Sequence, residues 1–354
     1  VKNPELARQF KDIVRRDESL FKGPIIQATP QYRIGKTIAE LVKARGGFMC
    51  DIFVDIATKI SMSLSVDRNL YVHQEVALKK VILGDQKKDG TYEKKNIVVL
   101  TGTGSGKTEC FLYPIINYLF EEKANDPNSC ISKGVRALIV YPMNALANDQ
   151  LARLRVMLPQ ETGITFGRYT GQTPEKYEDA RQKHVQLFGQ DPQENEMISR
   201  DRIREQPPHI LLTNFAMLEY LLMRPDDSVL FDGEAGRTWK YIVLDEAHVY
   251  SGATGAEIGY LIRRVKDRVC QNRPGVLQCI ATSATMGSGD SKTINIQIAE
   301  AAKALFGELF DVESIVRPSI ITQQELIANS QKHWGSGCVE FYELSTDLLD
   351  DVRS

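Results

Sequence analysis

No apolar run in this chain of 354 residues approaches the ~18 needed to cross a bilayer as a helix, so a membrane-spanning helix is excluded. The opening Val1-Lys-Asn-Pro-Glu5 is charged and lacks an apolar core, so it does not read as a secretory signal. Cysteine is scarce. Cys50, Cys110, Cys130, Cys270, Cys279 and Cys338 show no C-x-x-C spacing, which argues against a zinc site and against disulfides. They read as isolated thiols of a reducing cytosol, and the expected location is cytoplasmic, away from membranes. An excess of one charge is also missing: the net charge is −2 and the pI about 6.3. No global basic signature announces nucleic acid, so any such surface must be local. Internal repeats and low-complexity tracts are absent. The first residue is not Met, and the expectation is a piece of something larger. What remains is ordinary globular composition, 42% apolar and 25% charged, with length for two or three domains.

Against that plain background one stretch stands out. Thr101-Gly-Thr-Gly-Ser-Gly-Lys-Thr108 follows the apolar run Ile97-Val-Val-Leu100. A strand feeding a glycine-rich turn that ends in Gly-Lys-Thr builds a phosphate cradle. Successive backbone N–H groups around Thr103, Gly104, Ser105 and Gly106 point at one anion, and the next helix adds its dipole. Lys107 is placed to reach the β- and γ-phosphates, and Thr108 to offer its hydroxyl to Mg²⁺. The strict pattern has glycine where this chain has Thr101. A chance Gly-Lys-Thr in a turn would leave both flanks unexplained.

About 140 residues on, Tyr241-Ile-Val-Leu-Asp-Glu-Ala-His248 is a second buried-type strand, ending in adjacent carboxylates. Nucleotide hydrolysis needs one carboxylate to hold Mg²⁺ and one to orient or deprotonate water. Asp245 suits the first role and Glu246 the second. The two motifs together indicate an NTPase.

Residues 1–68 read as a helix-rich lead-in, broken at Gly23-Pro24, Thr29-Pro30 and Gly46-Gly47, with a first helix over 4–16. A helix is expected over 70–83. From Asn96 onward, apolar strands at 97–100, 135–141, 209–213, 240–244 and 277–282 alternate with helices near 106–120, 143–157, 214–223, 255–270 and 292–306. That alternation predicts an α/β fold, a parallel sheet with helices on both faces, over 69–290. Both motifs fall at carboxyl ends of strands, where such sheets place ligands. Pro114 predicts a kink or local adjustment in the helix after the cradle. The polar segment 173–208 does not alternate and reads as a surface insertion with a helix over 174–188. Residues 291–354 read as the end of the domain and a link, with a strand near 340–342.

Further motifs sit in order along the chain. Pro142-Met-Asn-Ala-Leu-Ala-Asn-Asp-Gln150 starts a helix at Asn144; Thr170-Gly171 closes a strand; Thr213-Asn214 caps another helix; Ser283-Ala-Thr285 ends the last strand. Small polar residues at helix N-termini make phosphate contacts without reading base sequence. The ordered set resembles the first RecA-like motor domain of superfamily 2 helicases of the DEAH type. The stretch Asp245 to Ala256 and the lead-in Gly23-Pro-Ile-Ile and Thr29-Pro-Gln-Tyr32 are similar to two groups, the MrfA-type DNA-repair helicases and the large helicases of bacterial anti-phage systems such as Druantia. The resemblance implies an adenine contact at Gln74, ATP and Mg²⁺ as ligands, and a DNA strand held at Asn144, Thr170, Gly171, Thr213 and Asn214. It also implies His248, Ser283 and Thr285 as the groups that couple nucleotide state to that grip. RNA in place of DNA is the alternative, since backbone contacts separate the two chiefly by the 2′-hydroxyl. Arg263, Arg264, Lys266 and Arg268 form a basic run that could touch DNA or a neighbouring domain, although a solvated helix face is the commoner origin of such runs.

A second motor domain, with the arginines that stabilise charge on the γ-phosphate, is not found after Thr285. The expectation is an N-terminal part of a larger helicase, partnered by its own second motor domain and by repair or defence proteins. An ATP-gated scaffold is the remaining alternative.

Overall fold

The computed structural model describes residues 4–5, 8, 31–54, 66–87, 89–90, 92–102, 104–130, 133–284, 291–322 and 325. The chain divides into two units, 32–319 and 1–31 with 320–354. Few residues of the second are described, among them Ile321, whose N–H donates to the Gln31 carbonyl (2.9 Å). The expected helix over 4–16 and strand near 340–342 lie largely or wholly outside the described residues.

The larger unit is built on eight strands: β1 (Ile97–Leu100), β2 (Ala137–Tyr141), β3 (Phe166–Arg168), β4 (Glu196–Met197), β5 (Ile210–Asn214), β6 (Tyr241–Leu244), β7 (Gln278–Ser283) and β8 (Ile315–Val316). They lie in the order β8-β1-β7-β6-β2-β5-β3-β4, and every pairing is parallel. All residues of β1, β2 and β6 are buried, as expected of strands covered on both faces. Alternate residues serve opposite cores. Ile97, Val99, Ile139, Val243 and Ile280 face one; Val98, Leu100, Val140, Ile242 and Ala281 face the other.

The first core is closed by α1 (Val72–Ile82), α2 (Lys107–Asn125) and α3 (Asn144–Met157), and by Ile38, Leu41 and Phe53 of the lead-in. The described lead-in therefore shares the sheet's core. The second core is closed by α6 (Phe215–Met223), α7 (Gly252–Cys270) and α8 (Ser291–Phe306). In α7 the buried Ile258, Leu261, Ile262, Val265 and Val269 recur at three- and four-residue spacing, one apolar stripe turned to the sheet. Helix α2 runs without interruption through the buried Pro114, which has no N–H to offer the preceding turn.

The segment 173–208 is more than a surface insertion. It carries α4 (Tyr177–Phe188) and α5 (Arg200–Glu205), and between them β4, the strand that ends the sheet. Only two residues long, and with Glu196 buried, β4 has neither the length nor the polarity that marks a strand in sequence. Among the described residues no helix is long and apolar enough to cross a membrane.

Candidate nucleotide and strand-binding site

Register sets the site. Leu100 lies level with Ser283 and Leu244 with Ala281, so the residues leaving β1 and β6 meet at the carboxyl end of β7 between them. There Lys107 Nζ donates to Glu246 Oε1 (2.7 Å), joining the two principal motifs. Both side chains are mostly buried, at 10% and 20% exposure.

Within the cradle, Gly104 and Gly106 adopt left-handed backbone (φ +74° and +76°), a region that penalises any Cβ. A Cβ on Gly106 would also lie 2.1 Å from Gln74 Nε2. Gln74 itself is buried: its Nε2 donates to the Gly106 carbonyl (3.1 Å) and its Oε1 accepts from the Tyr71 N–H (2.8 Å). The residue expected to meet adenine thus also fixes the loop that carries Lys107. Its neighbour His73, which sequence reading missed, meets the Ser105 carbonyl at 2.9 Å. Burial holds the imidazole below its usual range, so neutral His73 donates there from Nε2–H. Thr101, the departure from the strict glycine pattern, is fully buried and shares a hydrogen bond with the Ser105 hydroxyl, which in turn donates to the Gly102 carbonyl (2.7 Å). A hydroxyl at this position closes the loop from below. Thr103 lies outside the described residues.

The acidic pair is organised by Thr282, a second residue the sequence did not single out. Its hydroxyl donates to Asp245 Oδ1 and accepts from the Glu246 N–H (3.1 Å), and its side chain is fully buried. Burial raises the Asp245 carboxyl above the ordinary carboxylate range, and the Thr282 bond partly offsets that. Glu246 sits in the left-handed region (φ 50°, ψ 46°), uncommon for a residue with a Cβ and costly by about 1–2 kcal/mol. Its Oε2 makes no hydrogen bond among the described residues, although His248 Nδ1 is 3.3 Å away. His248 Nδ1 is also 3.4 Å from Ser283 Oγ, so these two residues expected to act in coupling touch. Thr285 lies outside the described residues. Thr108 Oγ1 accepts from Gln150 Nε2 (3.3 Å), which ties α3 to the cradle.

The residues expected to hold a strand divide into two kinds. Asn144 and Asn214 are half-buried and meet, Asn214 Nδ2 donating to Asn144 Oδ1 (2.7 Å), while Asn214 Oδ1 caps α6 at the Met217 N–H (2.7 Å). Gly171 is exposed, and a Cβ there would meet nothing within 4 Å. Thr170 and Thr213 differ. Both are fully buried; the Thr213 hydroxyl donates to the Tyr169 carbonyl (2.7 Å), and the Thr170 hydroxyl accepts from the Gln172 N–H (3.3 Å). Their side chains shape the loops and present no surface. The basic run of α7 is largely spent inside the protein. Lys266 is buried on the Phe306 and Gly307 carbonyls and Glu308 Oε1 (2.5 Å), Arg263 donates to the Ala304 carbonyl (2.7 Å), and Arg268 makes a two-pronged pair with Asp232 (2.9 and 2.6 Å). Arg264 is the exposed member.

The DEAD/DEAH box helicase family matches residues 74–294, which spans the cradle, the acidic pair and β7. The chain is 30% identical over 373 residues to the Druantia protein DruE of Escherichia coli (strain UMEA 4076-1), covering 81% of this chain and 19% of DruE. It is 29% identical over 237 residues to the ATP-dependent helicase YprA of Bacillus subtilis (strain 168), covering 66% of this chain and 25% of YprA. It therefore spans about a fifth to a quarter of these relatives. Among solved structures, the DUF1998 helicase MrfA bound to DNA superposes with a TM-score of 0.51 at 26% identity, over 82% of this chain and 30% of that one. The DEAD-box helicase Mss116, bound to ssRNA and UDP-BeF, gives 0.52 at 16% identity over 81% and 46%, a likeness of fold. The chain belongs to the DEAD/DEAH box helicase family.

Proposed function

We propose that this chain is the N-terminal part, with the first motor domain, of a DNA helicase or translocase in which ATP turnover drives movement along one strand. The observation that carries this reading is the 2.7 Å contact between Lys107 and Glu246 across the end of β7, with Thr282 holding the Asp245 carboxylate and the Glu246 backbone N–H. Lys107 then neutralises the β- and γ-phosphates, and the glycine backbone supplies N–H donors around them. Tyr71 and His73 stack at 5.6 Å and Tyr32 meets both edge-on at 5.2 and 5.3 Å, an aromatic cluster beside Gln74 on the side where a base would lie.

A magnesium site fits the donor set. Asp245 and Thr108 offer hard oxygens of the kind Mg²⁺ takes, and the Asp245 carboxylate is buried with its Oδ1 held by Thr282. Bound there, Mg²⁺ supplies charge neutralisation at the phosphate oxygens. Glu246 takes the proton of the attacking water at Oε2, the oxygen not engaged by Lys107. His248 lies between that oxygen and Ser283, and so reports the state of the γ-phosphate to β7.

DNA is favoured over RNA because MrfA, solved with DNA, shares sequence with this chain at 26% identity as well as fold. Asn144, Gly171 and Asn214 hold the strand by its backbone, with Thr170 and Thr213 shaping their loops. A second motor domain elsewhere in the longer protein supplies the arginines that complete catalysis, an arginine finger contributing about 10³–10⁵ in rate. Phage defence or DNA repair is the setting that goes with this reading.

The test is ATP hydrolysis by this chain and by the longer protein, each with no nucleic acid, single-stranded DNA, duplex DNA or RNA, beside Lys107→Ala and Glu246→Gln. The expected result is DNA stimulation of the longer protein that both substitutions abolish, with this chain near background. Stimulation by RNA alone reverses the choice of strand. No stimulation by either favours an ATP-gated scaffold.

A further inference from the structure

The segment 173–208 brings a second group of residues to the end of the sheet where Asn144 and Gly171 lie. A cavity of about 390 Å³ opens between α3, α4 and the end of β3. Arg168, the last residue of β3, lines it, as do Asn148, one helical turn beyond Asn144, and Gln172, directly after Gly171. Cavity and strand contacts therefore adjoin through both chain segments.

The cation in this cavity is under-compensated. Arg168 bonds Asn148 Oδ1 through NH1, a neutral acceptor, and its buried Nε has no hydrogen-bond partner among the described residues. Burial and the nearby Arg155 push its guanidinium below the usual range. Two carboxylates line the same space. Glu196 is already committed to Arg155 through both oxygens (2.8 and 2.7 Å), and Asp149 is exposed on α3. Exposed Lys183 adds a further positive charge. Lined by Arg155, Arg168 and Lys183 against Glu196 and Asp149, the cavity carries one net positive charge.

At the rim stands an aromatic ring without an apolar cover. Phe188, the last residue of α4, is 49% exposed, and Leu187 beside it 66%. The Phe188 ring is braced by its neighbours: the Arg155 guanidinium carbon lies over it at 4.2 Å from its centroid, and the His184 ring is 4.7 Å away, tilted by 49°. A braced, half-exposed ring next to an under-compensated cation is how a protein holds one nucleotide of a single strand, base on ring and phosphate on cation.

We infer that this cavity is a nucleotide subsite for a single strand of nucleic acid, with Phe188 stacking a base and Arg168 and Lys183 meeting its phosphate. The segment 173–208 then extends the strand path beyond Asn144 and Gly171. The inference rests on the strand-binding reading above but uses residues which that reading does not.

Binding of a fluorescent single-stranded oligonucleotide is measured by anisotropy across a salt series. The proteins compared are the wild-type chain, Phe188→Ala, Phe188→Tyr, Lys183→Gln, Arg168→Gln and Asn144→Ala. Phe188 and Lys183 are exposed, so their variants are expected to fold, and thermal melts check that they do. Phe188→Ala is expected to weaken binding about tenfold and Phe188→Tyr to restore it. Lys183→Gln and Arg168→Gln are each expected to lower the salt slope by about 0.7. If Asn144→Ala weakens binding while Phe188→Ala and Lys183→Gln match wild type, the subsite is overturned and the strand-binding reading stands. If the wild-type chain binds no strand at all, both fall.

Discussion

Thr282 is where the chemistry of the site and the stability of the fold meet, and Thr282→Val separates them cleanly because it keeps the shape. The substitution removes one hydroxyl that donates to Asp245 and accepts from the Glu246 N–H. A hydrogen bond to an ionised carboxylate contributes about 1.5–3 kcal/mol, and an orphaned buried N–H costs about 1–3 kcal/mol. The two effects share one atom and do not add in full, so the expected loss of unfolding free energy at pH 7 is about 2–3 kcal/mol. Its pH dependence is specific. Folded Asp245 holds its proton more tightly than an unfolded aspartate, so stability falls as pH rises from the ordinary carboxylate value through the raised one and is level above it. Without the Thr282 bond, which favours the ionised form, the carboxyl rises further. The gap between wild type and variant should therefore narrow as pH drops from the variant's raised value to the wild type's, and stay constant below that. Urea unfolding from pH 7 down to pH 4 measures the gap, with Thr282→Ser as the control that keeps the hydroxyl. In the longer protein carrying the same substitutions, the acid limb of DNA-stimulated ATP hydrolysis should move to higher pH in Thr282→Val and stay put in Thr282→Ser. A valine variant within about 0.5 kcal/mol of wild type at pH 7, with an unmoved acid limb, would refute the role given to Thr282.

Three further outcomes are expected. Glu246→Gln removes the proton acceptor while keeping a partner for Lys107, so DNA-stimulated hydrolysis should fall about 10²–10⁴-fold with nucleotide affinity nearly intact, as read by single-turnover kinetics beside equilibrium binding. Gly106→Ala should lose about 1–2 kcal/mol from its left-handed backbone, plus the clash with Gln74 Nε2. Adding Gln74→Ala should relieve the clash and leave the backbone part, which a thermal melt of single and double variants resolves. Arg204→Ala strips Asp227, fully buried, of its charged partner at 2.7 Å and leaves it the Tyr169 hydroxyl, so a loss of about 3 kcal/mol is expected in urea unfolding. Restoring neutrality with Asp227→Asn in the same protein should recover part of that loss.

The five strands read from the sequence are present within two residues of their expected ends, because continuous apolar runs such as Ile97–Leu100 have few other uses. Strand β4 was invisible for the opposite reason: its burial depends on Arg155 neutralising Glu196, a contact 41 positions apart that no local pattern encodes. The same division runs through the site. Lys107, Asp245 and Glu246 could be named as candidates, and their meeting expected, because a phosphate cradle and a pair of carboxylates each demand fixed residue types at fixed spacing. Thr170 and Thr213 were legible as motif residues but not as buried ones, since a motif contains residues that bend a loop as well as residues that touch a ligand. His73 and Thr282 carried no signal, and Thr101 was read only as a departure from the glycine pattern, because their roles arise only when the cradle folds against α1 and β1, β6 and β7 align. For Thr282 the dependence is strict. Leu244 pairs with Ala281, so the next residue on each strand brings Asp245 beside Thr282. A slip of one residue between β6 and β7 would turn that hydroxyl to the opposite face and leave the Glu246 N–H without its acceptor. Both acidic residues are written in the sequence, but the angle at which Glu246 is held toward Lys107 is set by the register of a neighbouring strand. For this reason the decisive substitution lies at Thr282, outside every motif that identified the site.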